Sequence, residues 1–437
     1  MSEAAEVVTI ERLAAGGDGV ARLADGRATF VPRTAPGDRV RLGQLRTFSR
    51  YARARIATLE EAGPGRVTPP CPHYTRDDCG GCQLQHLAPA RQRELKREIV
   101  ADALARIGRL DVPVPPVVAS EADWHYRSRI TLTPGPGRRF AGFHPVDRPD
   151  RVFDLEQCHI AAEPLMALWR VLRTQLQLLP ADTTALVLRT DRTGGLHLVV
   201  KATGKQAWSK GKALHERLSG AGVAAAVWWQ PEGGAPRVVG GDREAFPATV
   251  FEQVHPALGD RIRAHALAAL GEVRGAHVWD LYAGIGEATD ALVAGGATVE
   301  SVEADRRAVE VGARRGHAPR PGREESQRPE PAGVIRHVGK VEDVVASLRD
   351  PAAVIANPPR GGMEAAVTRE LLARGPARIA YVSCDPATLA RDLNRLCFPG
   401  LDVPVRRGTG YRVTSVQPFD LFPQTAHVET VVLLEAA

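Results

Sequence analysis

The segment YVSCDPATLARDL ends an apolar run on a thiol, Cys384, with Asp385 and Pro386 directly after it. A cysteine that only fills a core usually lies within the apolar run and not at its exit. Ala387–Leu393 has the spacing of a helix, so we expect a strand, a turn and a helix with the thiol at the turn. Ligands of open α/β sheets bind at this edge of the strands. On local grounds, a thiol that faces a ligand and an inert buried thiol are equally good interpretations.

A second group of thiols lies in CPHYTRDDCGGCQLQH, where Cys71, Cys79 and Cys82 follow the pattern C-x7-C-x2-C. The two glycines between the last pair permit a tight turn that points both thiols at one centre. Cys158 is the candidate fourth ligand, because the remaining two cysteines belong to the last part of the chain. Four thiolates suit either zinc or an iron–sulfur cluster. The histidines that could replace a thiolate as ligand are His73, His86 and His159.

The segment WDLYAGIGEATDAL has the pattern of a strand, a glycine turn and a helix, with Tyr282 and Glu287 beside the crevice at the helix start. The third glycine of a dinucleotide fingerprint is absent. Glu303 ends the next strand, seventeen residues after Gly286, where a carboxylate can accept both hydroxyls of a ribose. NPPR at Asn357–Arg360 ends a later strand. A rigid Pro-Pro turn in that place is typical of S-adenosylmethionine-dependent methyltransferases.

Three kinds of element are predicted to position these residues. Short apolar runs separated by Gly, Pro and Asp over residues 5–60 indicate a small all-β barrel. Ala88–Leu110 has the pattern of an amphipathic helix, and residues 113–245 that of mixed strands and helices. From Gly271 strands alternate with helices, which indicates a doubly wound, mostly parallel sheet. The domain boundaries we predict are 1–64, 65–248 and 249–437.

The strands expected in the last domain are His277–Leu281, Thr298–Glu303, Ala353–Asn357, Ile379–Ser383 and a final one at Val428–Glu435. Residues 316–333 are polar and rich in proline, as is typical of a surface insertion.

The composition of the 437 residues is that of a globular protein with a net charge of +6 and six cysteines. This charge permits a nucleic-acid partner without requiring one. The N-terminus has no basic start followed by an apolar core, and no apolar run reaches the roughly 18 residues of a membrane span. We therefore expect a cytoplasmic protein in a reducing compartment, with no membrane partner, and a monomer.

Together the motifs resemble those of the RNA uracil-C5 methyltransferases, the family that makes 5-methyluridine. The first sixty residues resemble its TRAM barrel, and CGGCQLQH with Cys71 and Cys158 resembles its four-cysteine [4Fe–4S] site, although the first gap is longer than in the common C-x5-C-x2-C form. YRSR at Tyr126–Arg129 resembles a substrate segment of its central domain. The resemblance implies an α/β fold, in which a Rossmann-like class I methyltransferase domain follows a TRAM- or OB-like β-barrel and a mixed α+β central domain.

The resemblance also implies contacts with the methyl donor, S-adenosylmethionine. FEQVHP resembles the element F-x-Q-V-N, whose glutamine contacts the donor, so that role passes to Gln253, with His255 in place of Asn. Glu287 stands where the family has a small or amide residue. The other donor contacts that the resemblance implies are Tyr282, Glu287, Glu303 and Asn357.

SCDPATLARDL and FDLFPQTAHVETVVLL resemble the family's catalytic segments, which makes Cys384 the nucleophile and Glu429 the general base. Uracil C5 is too weak a nucleophile to attack a methyl sulfonium, and a thiolate that adds to C6 activates it. The base then removes the C5 proton. The target base must leave its stack, so a loop or unfolded RNA segment is the expected substrate. Four arginines are candidates for contacts with this RNA, although each could equally be an ordinary solvated residue: Arg127, Arg129, Arg138 and Arg139.

Three other functions fit part of the pattern. An RNA cytosine-C5 methyltransferase uses the same thiol addition, but its Pro-Cys signature is absent. A TRAM-bearing radical methylthiotransferase needs a C-x3-C-x2-C cluster, which is also absent. A non-catalytic RNA-binding protein would not need Cys384, Glu429 and the donor residues together. The cluster resemblance favours ribosomal RNA as the substrate over transfer RNA.

Overall fold

The computed structural model of the chain describes residues 6–241, 252–315, 333–400, 403–406, 408 and 410–437. Within these ranges the strands form three sheets, one in the N-terminal part, one in the middle and one in the C-terminal part. The predicted insertion at 316–333 lies, apart from its last residue, outside the described residues. No helix in the described ranges has the length and apolar character that crossing a bilayer needs.

The N-terminal sheet has six strands in the order β1-β5-β6-β4-β3-β2. Along its strands buried and more exposed side chains alternate, as in Ala28–Val31, so one face forms a small core. The strands are β1 (Val7–Thr9), β2 (Arg12–Leu13), β3 (Gly19–Arg22), β4 (Ala28–Val31), β5 (Arg39–Thr47) and β6 (Tyr51–Glu61). This arrangement matches the small β-barrel expected from the sequence.

The middle sheet has six strands in the order β12-β11-β10-β9-β7-β8, and only the β10–β11 pair is parallel. Its core contains Trp169, which is buried and donates from Nε1 to the carbonyl of Leu155 at 2.9 Å. The strands are β7 (Arg129–Pro134), β8 (Ala141–Gly142), β9 (Thr183–Thr190), β10 (Leu196–Ala202), β11 (Ala225–Pro231) and β12 (Arg237–Gly240). The helices of this part of the chain are α1 (Pro72–Thr75), α2 (Pro89–Ala103), α3 (Glu163–Leu172) and α4 (Gly211–Gly220).

The C-terminal sheet has seven strands in the order β15-β14-β13-β16-β17-β19-β18, parallel except for β19, which runs antiparallel to both neighbours. Its central strands are buried on both faces, as expected where helices cover a parallel sheet. The strands are β13 (His277–Leu281), β14 (Thr298–Glu303), β15 (Val334–Val338), β16 (Ala353–Ala356), β17 (Arg378–Ser383), β18 (Tyr411–Phe419) and β19 (Glu429–Ala436). The helices are α5 (Pro256–Leu270), α6 (Glu287–Ala294), α7 (Arg306–Arg315), α8 (Val341–Val344), α9 (Ala365–Arg374) and α10 (Pro386–Cys397).

The doubly wound α/β fold is therefore confirmed, with two strands, β15 and β18, that the sequence analysis did not anticipate. The predicted helix over 88–110 is shorter, because α2 passes into a wider π-helical turn at Leu104–Gly108 and stops at Arg109, whose φ is +54°.

α2 connects the N-terminal barrel with the C-terminal sheet. Leu95 and Ile99 pack with barrel residues in one apolar cluster, and Val100 packs in the core of the C-terminal sheet.

Candidate active site

Cys384 follows the last residue of β17 and precedes α10, at the carboxyl edge of the C-terminal sheet. Asp385 caps the helix, since its Oδ1 accepts from the backbone N–H groups of Ala387 at 3.0 Å and Thr388 at 2.9 Å. Pro386 takes the first helical position, where no backbone donor is needed. The Asp-Pro pair therefore starts a helix immediately after the strand, which leaves the thiol at the edge as the sequence predicts.

Glu429 is the first residue of β19 and lies beside the thiol. β17 and β19 pair so that Ser383 is opposite Thr430, which places the next residues, Cys384 and Glu429, across from each other. The carboxyl group is 2% exposed, and this burial raises the pKa of Glu429 to about 7. Burial, followed by the charge of Glu429, raises the pKa of Cys384 to about 11. The two predicted catalytic residues are thus brought together, with the thiol protonated in the resting protein.

Arg360 lies within electrostatic reach of Cys384 and Glu429 and was not identified from the sequence as a functional residue. Its guanidinium opposes the raised pKa values of Cys384 and Glu429, and Nη2 donates to Nε2 of His427 at 3.2 Å. Burial and Arg360 lower the pKa of His427 to about 4, so this ring is a neutral acceptor. In the sequence, the position of Arg360 at the end of NPPR was the feature that could have pointed to it. The fold is what brings this arginine near the segments of Cys384 and Glu429.

The crevice predicted for the methyl donor lies at the same edge, between the ends of β13 and β14. Glu303 holds the glycine turn, because its Oε2 accepts from the N–H of Gly284 at 2.9 Å and its Oε1 accepts from that of Asp305 at 2.8 Å. Tyr282 takes a left-handed φ of +63° and is half-buried. Asn357 is exposed and donates its N–H to the carbonyl of Leu281 at 3.2 Å. These residues therefore lie at the carboxyl ends of β13, β14 and β16, the same edge of the sheet as Cys384.

The other two residues predicted to contact the donor, Gln253 and Glu287, lie outside these strand ends. Gln253 packs against Gly259 of α5, where an added Cβ would lie 3.0 Å from the Gln253 side chain. The carboxylate of Glu287 pairs with Arg192 at 2.7 Å and with Arg263 at 2.6 Å. Because both oxygens already contact guanidinium groups, this carboxylate links α6 to α5 and to the turn after β9. Contacts of both residues with the donor stay predictions.

The four cysteines predicted as metal ligands lie close to one another. Cys71 and Cys82 are buried in one apolar cluster, and Cys158 packs against it. Burial, with the neighbouring thiols Cys158 and Cys71 adding to it, raises the pKa of Cys79 to about 12. All four are free thiols. Four thiols within each other's electrostatic reach are a donor set that fits a thiolate-bound cluster.

Of the alternative histidine ligands, His73 is engaged elsewhere, whereas Nε2 of His86 and Nε2 of His159 are buried with no hydrogen-bond partner among the described residues. Nδ1 of His73 pairs with Asp77 at 2.6 Å, while Nε2 accepts from the N–H of Glu156 at 3.0 Å, so both ring nitrogens are used. Nδ1 of His86 lies 2.7 Å from the hydroxyl of Tyr74. Within the described ranges, no three His, Cys, Asp or Glu side chains are arranged to hold a metal ion directly. The metal centre itself stays a prediction.

Known proteins are similar to the chain over nearly its whole length. A family model for tRNA (uracil-5-)-methyltransferase matches residues 334–437, and one for the TRAM domain matches residues 6–56. The 23S rRNA (uracil(1939)-C(5))-methyltransferase RlmD of Halomonas elongata is 32% identical, over 99% of the chain and 90% of the relative. The protein of the same name from Acidithiobacillus ferrooxidans is 30% identical, over 98% of the chain and 97% of the relative. The chain belongs to the RNA (uracil-C5)-methyltransferase family.

Membership of the RNA (uracil-C5)-methyltransferase family confirms the predicted enzyme class, with S-adenosylmethionine as methyl donor and RNA as substrate. The fold has a counterpart among solved structures. The tRNA (uracil-54, C5)-methyltransferase of Pyrococcus abyssi, solved with S-adenosyl-L-homocysteine, superimposes with a TM-score of 0.68 over 98% of this chain and 100% of that one. At 21% identity this similarity supports the fold of the chain.

Proposed function

We propose that this enzyme methylates C5 of a uridine in ribosomal RNA through a covalent bond between Cys384 and C6 of the base. The observation that carries the proposal is the pairing of β17 with β19, which sets Cys384 opposite the buried Glu429. Two relatives at 30% identity or more are named as 23S ribosomal RNA methyltransferases, which supports ribosomal RNA. The family model that matches the C-terminal part is named for transfer RNA, which is the second candidate.

The proposed reaction begins with the thiol. Because the pKa of Cys384 is raised to about 11, its proton must pass to solvent before attack, and Arg360 is the group whose charge favours the thiolate. The thiolate then forms a bond to C6, and the electron pair of the C5–C6 double bond moves onto the C4 carbonyl as an enolate. C5 of this enolate accepts the electrophilic methyl group that bound S-adenosylmethionine would supply, and the bond from that methyl group to the sulfonium sulfur breaks, with S-adenosyl-L-homocysteine as the leaving group.

Glu429 completes the reaction by removing the remaining proton from C5. The electron pair of that C–H bond re-forms the C5–C6 double bond, and the bond between C6 and the sulfur of Cys384 breaks. A base with a pKa near the working pH is best suited to this step, and burial brings the pKa of Glu429 to about 7. Transfer of this proton from Glu429 to the released thiolate would restore both groups, and the methylated base is the product.

The donor site is proposed at the crevice between β13 and β14. Glu303 would accept the hydroxyls of the donor ribose while it holds the glycine turn through Gly284. The remaining contacts that we propose for S-adenosylmethionine come from Gln253, Tyr282, Glu287 and Asn357. Because the crevice and Cys384 lie at one edge of the sheet, a base held at the thiol would meet the donor methyl group there.

Glu303→Ala should weaken the binding of S-adenosylmethionine by about 1–3 kcal/mol, the scale of losing hydrogen bonds to a charged group. Isothermal titration calorimetry measures this loss directly. Glu216→Ala is the matched control, since Glu216 lies on α4 and its ion pair among the described residues is a surface contact with Lys212 at 3.9 Å. Equal affinities of the two variants would place the ribose elsewhere.

The barrel has a surface suited to RNA at the turn between β5 and β6. Phe48 and Tyr51 are 43% and 37% exposed, and their rings stack with centroids 4.6 Å apart. The N–H of Phe48 donates to the carbonyl of Tyr51 at 2.8 Å, which closes the turn. Arg46 and Arg50 flank the pair and form no ion pair with any residue that the structure describes. Exposed aromatic rings beside arginines provide stacking and phosphate contacts for unpaired nucleotides.

A [4Fe–4S] cluster is proposed on Cys71, Cys79, Cys82 and Cys158. A single zinc ion needs four ligands at about 2.3 Å from one point, whereas a four-iron cluster takes one thiolate at each iron and so spaces its ligands more widely. The support for the cluster is the group of four mutually interacting thiols, together with the resemblance of CGGCQLQH to the four-cysteine site of the family. The cluster would join the loop that contains Cys79 to the segment around Cys158.

Protein purified without oxygen should be brown and contain about four iron atoms per chain. Cys158→Ser and Cys79→Ser should lose iron to the same extent, because each removes one thiolate ligand. Cys397→Ser, a change in α10 outside the group, should keep all the iron. Iron analysis and the visible absorption spectrum measure the outcome. Colourless protein with one zinc per chain would refute the cluster and leave the methyltransferase assignment intact.

The substrate is tested with ribosomal and transfer RNA from cells that lack the gene. Purified enzyme and S-adenosylmethionine should produce 5-methyluridine in the ribosomal RNA, at a position that mass-spectrometric mapping identifies. Methylation of transfer RNA alone would establish the second candidate. RNA that binds without any methyl transfer would overturn the proposed activity.

A further inference from the structure

The segment that precedes the catalytic base is held by a distant part of the chain. Residues Asp420–Ala426, here called the base loop, connect the end of β18 to the residues just before Glu429. Gln424 has a φ of +69°, a left-handed conformation that a residue with a Cβ rarely adopts, and is 1% exposed. Contacts from outside the base loop must therefore stabilise its conformation.

The first of these contacts comes from Gln92 in α2, which is also 1% exposed. Its Nε2 donates to Oε1 of Gln424 at 2.8 Å, and its Oε1 accepts from the N–H of Gln424 at 2.9 Å. The same Nε2 group donates to the carbonyl of Leu87 at 2.8 Å. The two glutamines thus form a reciprocal amide pair in a buried site, where a missing partner is costly.

The second set of contacts comes from the cysteine loop. The N–H groups of Gln83 and Leu84 donate to the carbonyl of Gln424 at 3.2 and 3.0 Å. Oε1 of Gln83 accepts from the N–H of Ala426 at 3.3 Å. Gln83 directly follows Cys82, so the backbone that carries a proposed cluster ligand also contacts the base loop.

A buried ion pair holds the start of the base loop. Nζ of Lys96 donates to Oδ1 of Asp420 at 2.5 Å and to the carbonyl of Phe422 at 3.0 Å, and both charged side chains are at most 1% exposed. The hydroxyl of Tyr126 donates to the carbonyl of Pro423 at 2.9 Å. Contacts from the region of residues 83–126 therefore reach the base loop at both its ends.

We propose that Gln92, together with Gln83, is a positioning residue for Glu429, needed for removal of the C5 proton and not for binding RNA or the donor. The inference rests on the proposed function. A base must reach within hydrogen-bond distance of the proton that it takes, and a displacement of about 1 Å can cost about 100-fold in rate. The hydrogen bonds of Gln92 reach the base loop, which leads to Glu429, and not the turn between β17 and α10 that holds Cys384, so thiol addition should not depend on them.

Gln92→Leu keeps the size of the side chain and removes its hydrogen bonds to Gln424. This variant should release methylated RNA about ten-fold or more slowly than the wild type. A methyl-labelled protein–RNA adduct that survives denaturation should accumulate, while the affinities for RNA and S-adenosylmethionine stay within about two-fold. Gln417→Leu is the matched control, because this glutamine lies on β18 and its amide donates to the carbonyl of Pro116 at 3.1 Å. It should release product at the wild-type rate.

Gln83→Ala removes the contact with the N–H of Ala426 and the hydrogen bond from Nε2 of Gln83 to the carbonyl of Gly80 at 2.9 Å, and leaves Gln92 in place. This variant decides the outcome if Gln92→Leu does not fold. It should accumulate the same adduct to a smaller extent. Release at the wild-type rate without adduct, in folded variants, would overturn the inference. So would a parallel loss of RNA binding and methyl transfer, which indicates a general structural role. If Glu429→Gln itself forms no adduct, the proposed catalytic roles fail, and that outcome is distinguishable from failure of the Gln92 inference.

Discussion

Glu429→Gln is expected to transfer one methyl group and then remain attached to its RNA through Cys384. The amide keeps the size of the side chain but cannot accept the C5 proton, so the bond between sulfur and C6 has no route to break. With methyl-labelled donor, a denaturing gel should show a labelled band that contains both protein and RNA. Product release should fall by a factor on the order of 10² to 10⁴, the usual contribution of a general base.

The matched control is Glu435→Gln, because Glu435 lies on the same strand and pairs at the surface with Arg378 and Arg412. This variant should turn over normally. Ordinary turnover of Glu429→Gln would mean that another residue, or water, takes the proton.

The rate of product release by the wild type should also depend on pH in a definite direction. Burial raises the pKa of Glu429 to about 7, so the carboxyl is protonated below that pH and cannot act as a base. Release should therefore be slow in acid and rise as the pH passes about 7. Single-turnover measurements of adduct decay between pH 5.5 and about 8.5 test this. In Glu429→Gln this rise should disappear.

Cys384→Ala is expected to bind RNA and S-adenosylmethionine but to form no adduct and no 5-methyluridine. Without the thiol, no group activates C5, so methyl transfer should fall by a factor on the order of 10³ or more. The denaturing gel and nucleoside mass spectrometry measure both effects. Cys397→Ala, which removes the other thiol of the C-terminal part, should behave as the wild type.

The opposite results on the denaturing gel would change the proposed catalytic roles. A covalent band from Cys384→Ala would make Cys397 the thiol to examine. The double variant Cys384→Ala with Glu429→Gln should resemble Cys384→Ala alone, since no adduct forms for the base to resolve. A double variant that accumulates adduct would contradict the proposed order of steps.

The sequence by itself was enough to predict the fold class. It also predicted, each on its own, the turn that holds Cys384 and the glycine turn beside Glu303. Alternation of buried strands with helices predicts the doubly wound sheet, because the two elements have different hydrophobic periods. Asp385 and Pro386 start a helix directly after β17, so the thiol is placed at the edge by local chemistry alone. The glycine turn after β13 and the carboxylate of Glu303 follow from the same kind of local pattern.

The relation between these parts was decided by tertiary structure. Glu429 meets Cys384 only because β19 pairs antiparallel with β17, and pairing between strands distant in the chain has no local signature. The same holds for Arg360, for the ion pairs that occupy Glu287, and for the contacts that join Gln92 to the base loop. Side-chain chemistry is local and readable in a sequence, whereas the burial that raises the pKa of Glu429 exists only once distant segments have packed around it.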